Sequence, residues 1–232
     1  MYEHVLNKAG IRSGTSVLDC GCGAGRFLRL AADRGASVAG IDAADGLVQI
    51  AVSGVPEAEV RVGDFEALPW PDHAFDVVTG FSTFQFADDH AGALREARRV
   101  TRGQVWVVIP TRLAESEIPQ VFASLTDLLP ANAVPSLKLS GMYALSATGK
   151  LDEVLAVADL RTRSDATVDG TVEFPDVEAA IHAFLSAGAT TLAIQHSGQA
   201  AAEQALLPAL GPFVGDRGRV TLPGWFRVVE AS

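Results

Sequence analysis

Short β-branched runs alternate with amphipathic segments between Thr15 and Ile109, and the switching periodicity, near 2 and then near 3.6, predicts strands that feed helices. Strands are expected over 16–20, 37–42, 59–62, 75–79 and 104–109. Between them, 26–34 sets Phe27, Leu28, Leu30 and Ala31 on one helical stripe, and 47–52 and 91–100 give two more helices. This alternation predicts an α/β fold with helices packed on a largely parallel sheet. Right-handed crossovers restrict the strand order without settling it.

After Pro110 the texture changes. Residues 111–143 are apolar but interrupted by Pro119, Pro130 and Pro135, which predicts broken helix. A helix is expected over 150–158 and a sixth strand over 163–173, ended by Pro175. Helices over 177–187 and 199–207 precede a seventh strand over 219–230, bent at Pro223 and Gly224. With no internal repeat, low-complexity tract or charge block, the chain reads as a single domain over 1–232. Its core covers 1–110, lid insertions cover 111–143 and 175–210, and 144–174 and 211–232 return to the sheet.

Composition then narrows the partners. The 18 basic residues against 28 acidic ones leave a net charge of −10, which repels a polyphosphate backbone, so no nucleic-acid partner is expected. No uninterrupted apolar run is longer than the five residues of 105–109, too short to span a bilayer, and Met1 to Lys8 carries no basic-then-apolar leader. No membrane association is expected, and a cytoplasmic location is. Cys20 and Cys22 stand too close together for an ordinary disulfide and are too few for a closed zinc site; they fit small buried residues of a turn. The five histidines show no metal-ligand spacing on a shared helix face, so no metal is expected.

The strongest chemical signal is Val17-Leu18-Asp19-Cys20-Gly21-Cys22-Gly23-Ala24-Gly25-Arg26-Phe27, a strand passing through closely spaced glycines into a helix. Such a turn lets a ligand touch bare backbone near the positive end of a helix. A dinucleotide site places a third glycine three residues after the second, and here Arg26 occupies that position, which disfavours a nicotinamide oxidoreductase. Two further acids stand at successive strand ends, Asp42 after Ala39-Gly40-Ile41 and Asp64 after Val62-Gly63. One glycine motif is a weak signal; three strand-end features together are a strong one. Gly80-Phe81-Ser82 is no nucleophile elbow, because Phe84 replaces the final glycine that turn needs.

The spacing Asp-x-Gly-x-Gly-x-Gly resembles motif I of the class I S-adenosylmethionine-dependent methyltransferases. The segments from Phe75 to Phe86 and from Ala93 to Val100 resemble the small-molecule members of ubiquinone and menaquinone biosynthesis. The resemblance is specific from Val17 to Ile109. It implies a Rossmann-like, mostly parallel seven-stranded sheet with helices on both faces and helical lid insertions. It also implies S-adenosylmethionine as cofactor, with S-adenosylhomocysteine as product. By this resemblance Gly21, Cys22, Gly23 and Gly25 wrap the methionine half of the cofactor and Asp19 holds its ammonium group. Asp42, with Ala43 beside it, accepts the ribose hydroxyls, Asp64 bonds the adenine amino group, and Phe65 packs on the ring. An aromatic face such as that of Phe81, Phe84 or Phe86 is expected to favour the sulfonium. The chain departs from the family in three places. Thr101-Arg102-Gly103-Gln104 replaces a Pro-Gly-Gly turn, Gln85 and Phe86 replace histidines, and only a short segment precedes the first strand.

The resulting expectation is methyl transfer to a small, rather apolar molecule by in-line displacement in a lidded pocket. Tyr143, His182 and His196, in or beside the expected lid, are the candidate proton acceptors, since each joins an aromatic surface to an exchangeable proton. The alternative keeps fold and cofactor without methylation, as a cyclase, an isomerase or a binding partner of another enzyme. Oligomeric state and the acceptor atom stay open.

Overall fold

The computed structural model describes residues 1–131, 141 and 143–232. The chain divides into two compact units. One comprises Met1–Ile109, Leu145–Val168 and Arg227–Ser232, and the other Pro110–Ala144 and Asp169–Phe226.

The first unit opens with helix α1 (Tyr2–Lys8) and continues through β1 (Ser16–Cys20), α2 (Arg26–Ala32), β2 (Ser37–Asp42), α3 (Asp45–Gly54), β3 (Glu59–Val62), β4 (Phe75–Phe81), α4 (His90–Val100) and β5 (Thr101–Thr111). Helix α1 was not expected from the sequence. Its Val5 and Leu6 are buried on one side, and Arg34 pairs with Glu3 at 2.6 Å. Strands β1 to β5 pair in parallel wherever neighbours meet, and the sheet order is β3-β2-β1-β4-β5-β9-β6, with β6 at Thr162–Asp169 and β9 at Trp225–Ala231. The central strands are apolar along nearly their whole length because helices cover both faces. Leu18, Val78, Val105 and Val107 are fully buried in one cluster with Leu94 and Ala97 of α4. Asp89 starts α4, its carboxylate accepting the Gly92 N–H at 2.9 Å. Helix α6 (Lys150–Val157) precedes β6.

The second unit holds α5 (Ile118–Ala123), α7 (Val177–Leu185), α8 (Gly188–Ser197), α9 (Gln199–Leu210) and a two-stranded antiparallel sheet of β7 (Val172–Phe174) with β8 (Val220–Leu222). Here the strand expectations change. The run 163–173 breaks into β6 and β7, and 219–230 breaks at Pro223 and Gly224 into β8 and β9, with the two members of each pair in different sheets. Proline cannot donate to a ladder, and that break frees the chain to change partners. The expected broken helix over 111–143 is α5 flanked by single turns at Leu113–Glu115 and Thr126–Leu128; its stretch 132–140, with Pro135, lies outside the described residues. Among the described residues no single helix is long and apolar enough to cross a membrane.

Candidate functional site

Parallel register brings the chemistry to one edge. Asp19 stands opposite Gly40 of β2 and Thr79 of β4, Cys20 opposite Gly80, and Asp42 opposite Val62 of β3. The carboxyl ends of β1, β2, β3 and β4 are therefore neighbours, and open α/β sheets bind ligands at that edge.

The glycine loop there leaves little room for side chains at Gly21 and Gly25. Gly21 has φ +64°, and a Cβ added to it would lie 2.5 Å from Thr83 Oγ1. Gly25 has φ +78° and packs against Ala51 of α3, with only 3.0 Å from its would-be Cβ to that residue's Cβ. Cys22 is buried, and its N–H donates to the Ile41 carbonyl at 3.0 Å. Both cysteines are free thiols whose pKa burial pushes up, Cys22 to about 12, so neither is a nucleophile near neutrality.

Asp42 does more than the sequence suggested. One oxygen accepts the Gly23 N–H at 2.8 Å and the other accepts the Ala44 N–H at 2.9 Å, so this acid ties the glycine loop to the start of α3. Each carboxylate oxygen keeps a further lone pair for a ligand hydroxyl. Ala43 is exposed beside it. Asp64 is exposed, with one oxygen accepting the Glu66 N–H at 2.8 Å. Glu66 in turn accepts the N–H groups of Asp88 and Asp89, which holds the Asp64-Phe65 turn to the start of α4. Phe65 is half-buried and meets Phe84 edge-on at 6.0 Å.

Asp19 is the most perturbed acid. It is 3% exposed and accepts a hydrogen bond from Thr79 Oγ1 at 2.7 Å, and among the described residues no lysine or arginine pairs with it. Burial raises its pKa from 3.8 to about 7, with Asp42 adding to the rise and the Thr79 hydroxyl opposing it. A buried carboxyl with no basic partner can receive a cation.

Tyr2 is the residue that sequence reasoning missed. From the first turn of α1 its ring meets Phe81 edge-on at 4.6 Å and Phe27 at 5.8 Å, and Phe81 and Phe27 meet at 4.6 Å. Burial raises the Tyr2 pKa, with the nearby Asp19 charge adding to it. The signal was present as Tyr2, Val5 and Leu6 at helical spacing, in a segment too short to stand out.

The structure thus brings Asp19, Gly21, Cys22, Gly23, Gly25, Asp42, Ala43, Asp64, Phe65 and Phe81 to one edge of the first unit. Tyr143, His182 and His196 all belong to the second unit. His182 on α7 and His196 on α8 are exposed, and the His196 ring lies 3.2 Å from the Leu128 carbonyl oxygen. Tyr143 is half-buried and its pKa is pushed up to about 12 by burial. Among the described residues no cluster of three His, Cys, Asp or Glu side chains could hold a metal ion.

With this geometry established, comparison with known proteins assigns the class. A family model described as a methyltransferase domain matches residues 18–109. The malonyl-acyl-carrier-protein O-methyltransferase of Serratia marcescens is 28% identical over 214 residues, covering 89% of this chain and 78% of that one. The nocamycin O-methyltransferase of Saccharothrix syringae is 31% identical over 198 residues, covering 77% and 71%. Among solved structures, the cyclase SpnF superposes with a TM-score of 0.63 at 19% identity, covering 99% of this chain and 79% of that one, a likeness of fold alone. The chain belongs to the class I S-adenosylmethionine-dependent methyltransferases. It is an enzyme of that class, and S-adenosylmethionine is its cofactor.

Proposed function

We propose that this enzyme methylates an oxygen of a small, largely apolar acceptor by in-line displacement in a water-poor pocket. The oxygen is supported by two relatives whose names specify it as the methylated atom. Their names give different substrates, so neither is transferred to this chain. The apolar acceptor is supported by the aromatic side chains at the strand edge of the first unit, where the Phe81 ring meets those of Tyr2 and Phe27. Phe86, exposed after β4, adds an aromatic surface.

S-adenosylmethionine, when bound, supplies a methyl group on a sulfonium. The protein's part is to bind and orient: Asp19 the ammonium, Asp42 the ribose hydroxyls, Asp64 the adenine amino group and Phe65 the adenine face. Phe81, with Tyr2 against it, offers ring faces to the sulfonium. Orientation contributes roughly 7–11 kcal/mol in well-arranged cases, so an acceptor that is already anionic needs no protein base. A dry pocket favours that pairing, because opposite charges cancel as the methyl moves.

The test is incubation with deuteromethyl-labelled cofactor and a panel of phenols, carboxylic acids and malonyl thioesters. Mass spectrometry reads S-adenosylhomocysteine release and the labelled product, and NMR locates the methyl group. Labelling on nitrogen or carbon overturns the oxygen assignment. A product rearranged without label, with the cofactor unchanged, supports the non-methylating alternative.

A further inference from the structure

Gln85 lies in the single helical turn Phe84–Phe86 that follows β4, at the same edge of the sheet as the glycine loop. It is 3% exposed, yet neither Oε1 nor Nε2 has a hydrogen-bond partner among the described residues. Buried amides are nearly always paired, and one left unpaired is destabilising. The neighbouring polar groups are already engaged. Thr83 Oγ1 donates to the Phe81 carbonyl at 3.2 Å, and the His90 ring lies 3.2 Å from the backbone oxygen of Gln85 rather than from its side chain. The backbone leading to it is strained as well: Ser82 has φ +53°, held by its N–H donating to the Val108 carbonyl at 2.8 Å. An unpaired buried amide after a strained turn, at the ligand-binding edge of the sheet, is a group kept at a cost to the free protein.

We propose that the Gln85 carboxamide recognises the methyl acceptor through a side-by-side donor and acceptor edge, that of a cis-lactam or amide set apart from the anionic oxygen that receives the methyl group. A carboxamide presents one acceptor oxygen and two donor hydrogens, and only a partner with both functions side by side satisfies Oε1 and Nε2 together. An ether or an ionised carboxylate, which accepts only, leaves Oε1 unpaired. Gln85 does not titrate, so it selects and orients the acceptor and takes no proton. This inference rests on the methyltransferase reading and deepens it, by naming the polar edge that an otherwise apolar acceptor carries.

The test uses Gln85→Leu, with Gln85→Met as a second variant should the first fail to fold. The probe is 2-quinolone, a cis-lactam, compared with N-methyl-2-quinolone, which lacks the donor, both titrated at saturating S-adenosylhomocysteine. Removing an unpaired buried amide raises the melting temperature of the ligand-free protein by about 2–4 °C or more. The variants keep S-adenosylhomocysteine affinity within about twofold, bind 2-quinolone at least about tenfold more weakly than wild type, and lose the preference for it over the N-methyl compound. Variants that melt lower than wild type overturn the proposal, because the amide then has a structural partner such as a resident water. Equal binding of 2-quinolone by wild type and variants, including none by either, overturns it too. Failure of the underlying reading is visible separately, as wild-type protein that does not bind S-adenosylhomocysteine, and it removes this inference with it.

Discussion

Replacing Asp19 by Asn tests the central electrostatic feature of the site. The Asp19 pKa rises from 3.8 to about 7 on burial, so the folded protein holds a proton there that the unfolded chain has released. Stability therefore falls as pH rises from 3.8 to about 7 and is flat above that, with a total cost of about 4 kcal/mol for ionising this one carboxyl. Asn mimics the protonated acid in shape and never ionises. Its stability advantage over wild type should grow by about 3 kcal/mol between pH 5 and pH 8, or at least about 6 °C in melting temperature for a chain of this size. Ligand binding supplies the second measurement. An ammonium group set against Asp19 expels its proton, so wild-type affinity for S-adenosylhomocysteine should fall by up to about tenfold per pH unit below pH 7. Calorimetry in two buffers of different ionisation enthalpy should detect proton release near pH 6. Asp19→Asn should bind more weakly and without that pH dependence. An equal stability gain at pH 5 and pH 8, or wild-type binding that is flat from pH 5.5 to pH 8, refutes the reasoning.

Three further outcomes are expected. Gly21→Ala meets both the positive φ and the Thr83 side chain, and should destabilise the fold by about 1–3 kcal/mol in urea melts; adding Thr83→Ala should recover the part due to the clash and leave the part due to φ. Asp42→Ala should weaken S-adenosylhomocysteine binding by about 1–3 kcal/mol and also speed amide exchange at Gly23 and Ala44, whose N–H groups it holds; unchanged exchange would show that the loop does not depend on this acid. Tyr143→Phe, His182→Gln and His196→Gln should each keep turnover within about twofold once an acceptor is found, and a loss of about a hundredfold in any one would identify a base.

The parts of the molecule legible in the sequence are those that local chemistry dictates. Strands β1, β2 and β3 have the bounds their β-branched runs predict, because each is short and flanked by glycine or by a helix start. Asp19, Asp42 and Asp64 were legible through their positions at strand ends. What was hidden is mostly non-local. Asp42 reaches back to the Gly23 N–H, and Thr79 reaches from β4 to Asp19 on β1, and neither contact leaves any mark in local spacing. Helix α8 was missed because Gly188, Thr190 and Thr191 are poor helix formers and its apolar positions form no clear stripe. The split at Pro223 looked like a bend within one strand. It is a change of sheet, decided by which partners are available in space.

The second unit is made from two separated stretches of chain, and that has a consequence for its biosynthesis. Its apolar cluster joins Val121 and Leu125 of the earlier stretch to Phe184, Leu206, Leu210 and Leu222 of the later one. On a ribosome the earlier stretch emerges first and waits, on the order of seconds, for the residues it will pack against. Throughout that interval its leucines, valine and phenylalanine face water or whatever else is nearby. The vulnerable species is thus a nascent chain halted between Ala144 and Asp169. Co-translational yield, rather than the melting temperature of the finished enzyme, is where substitutions in α5 should register most strongly.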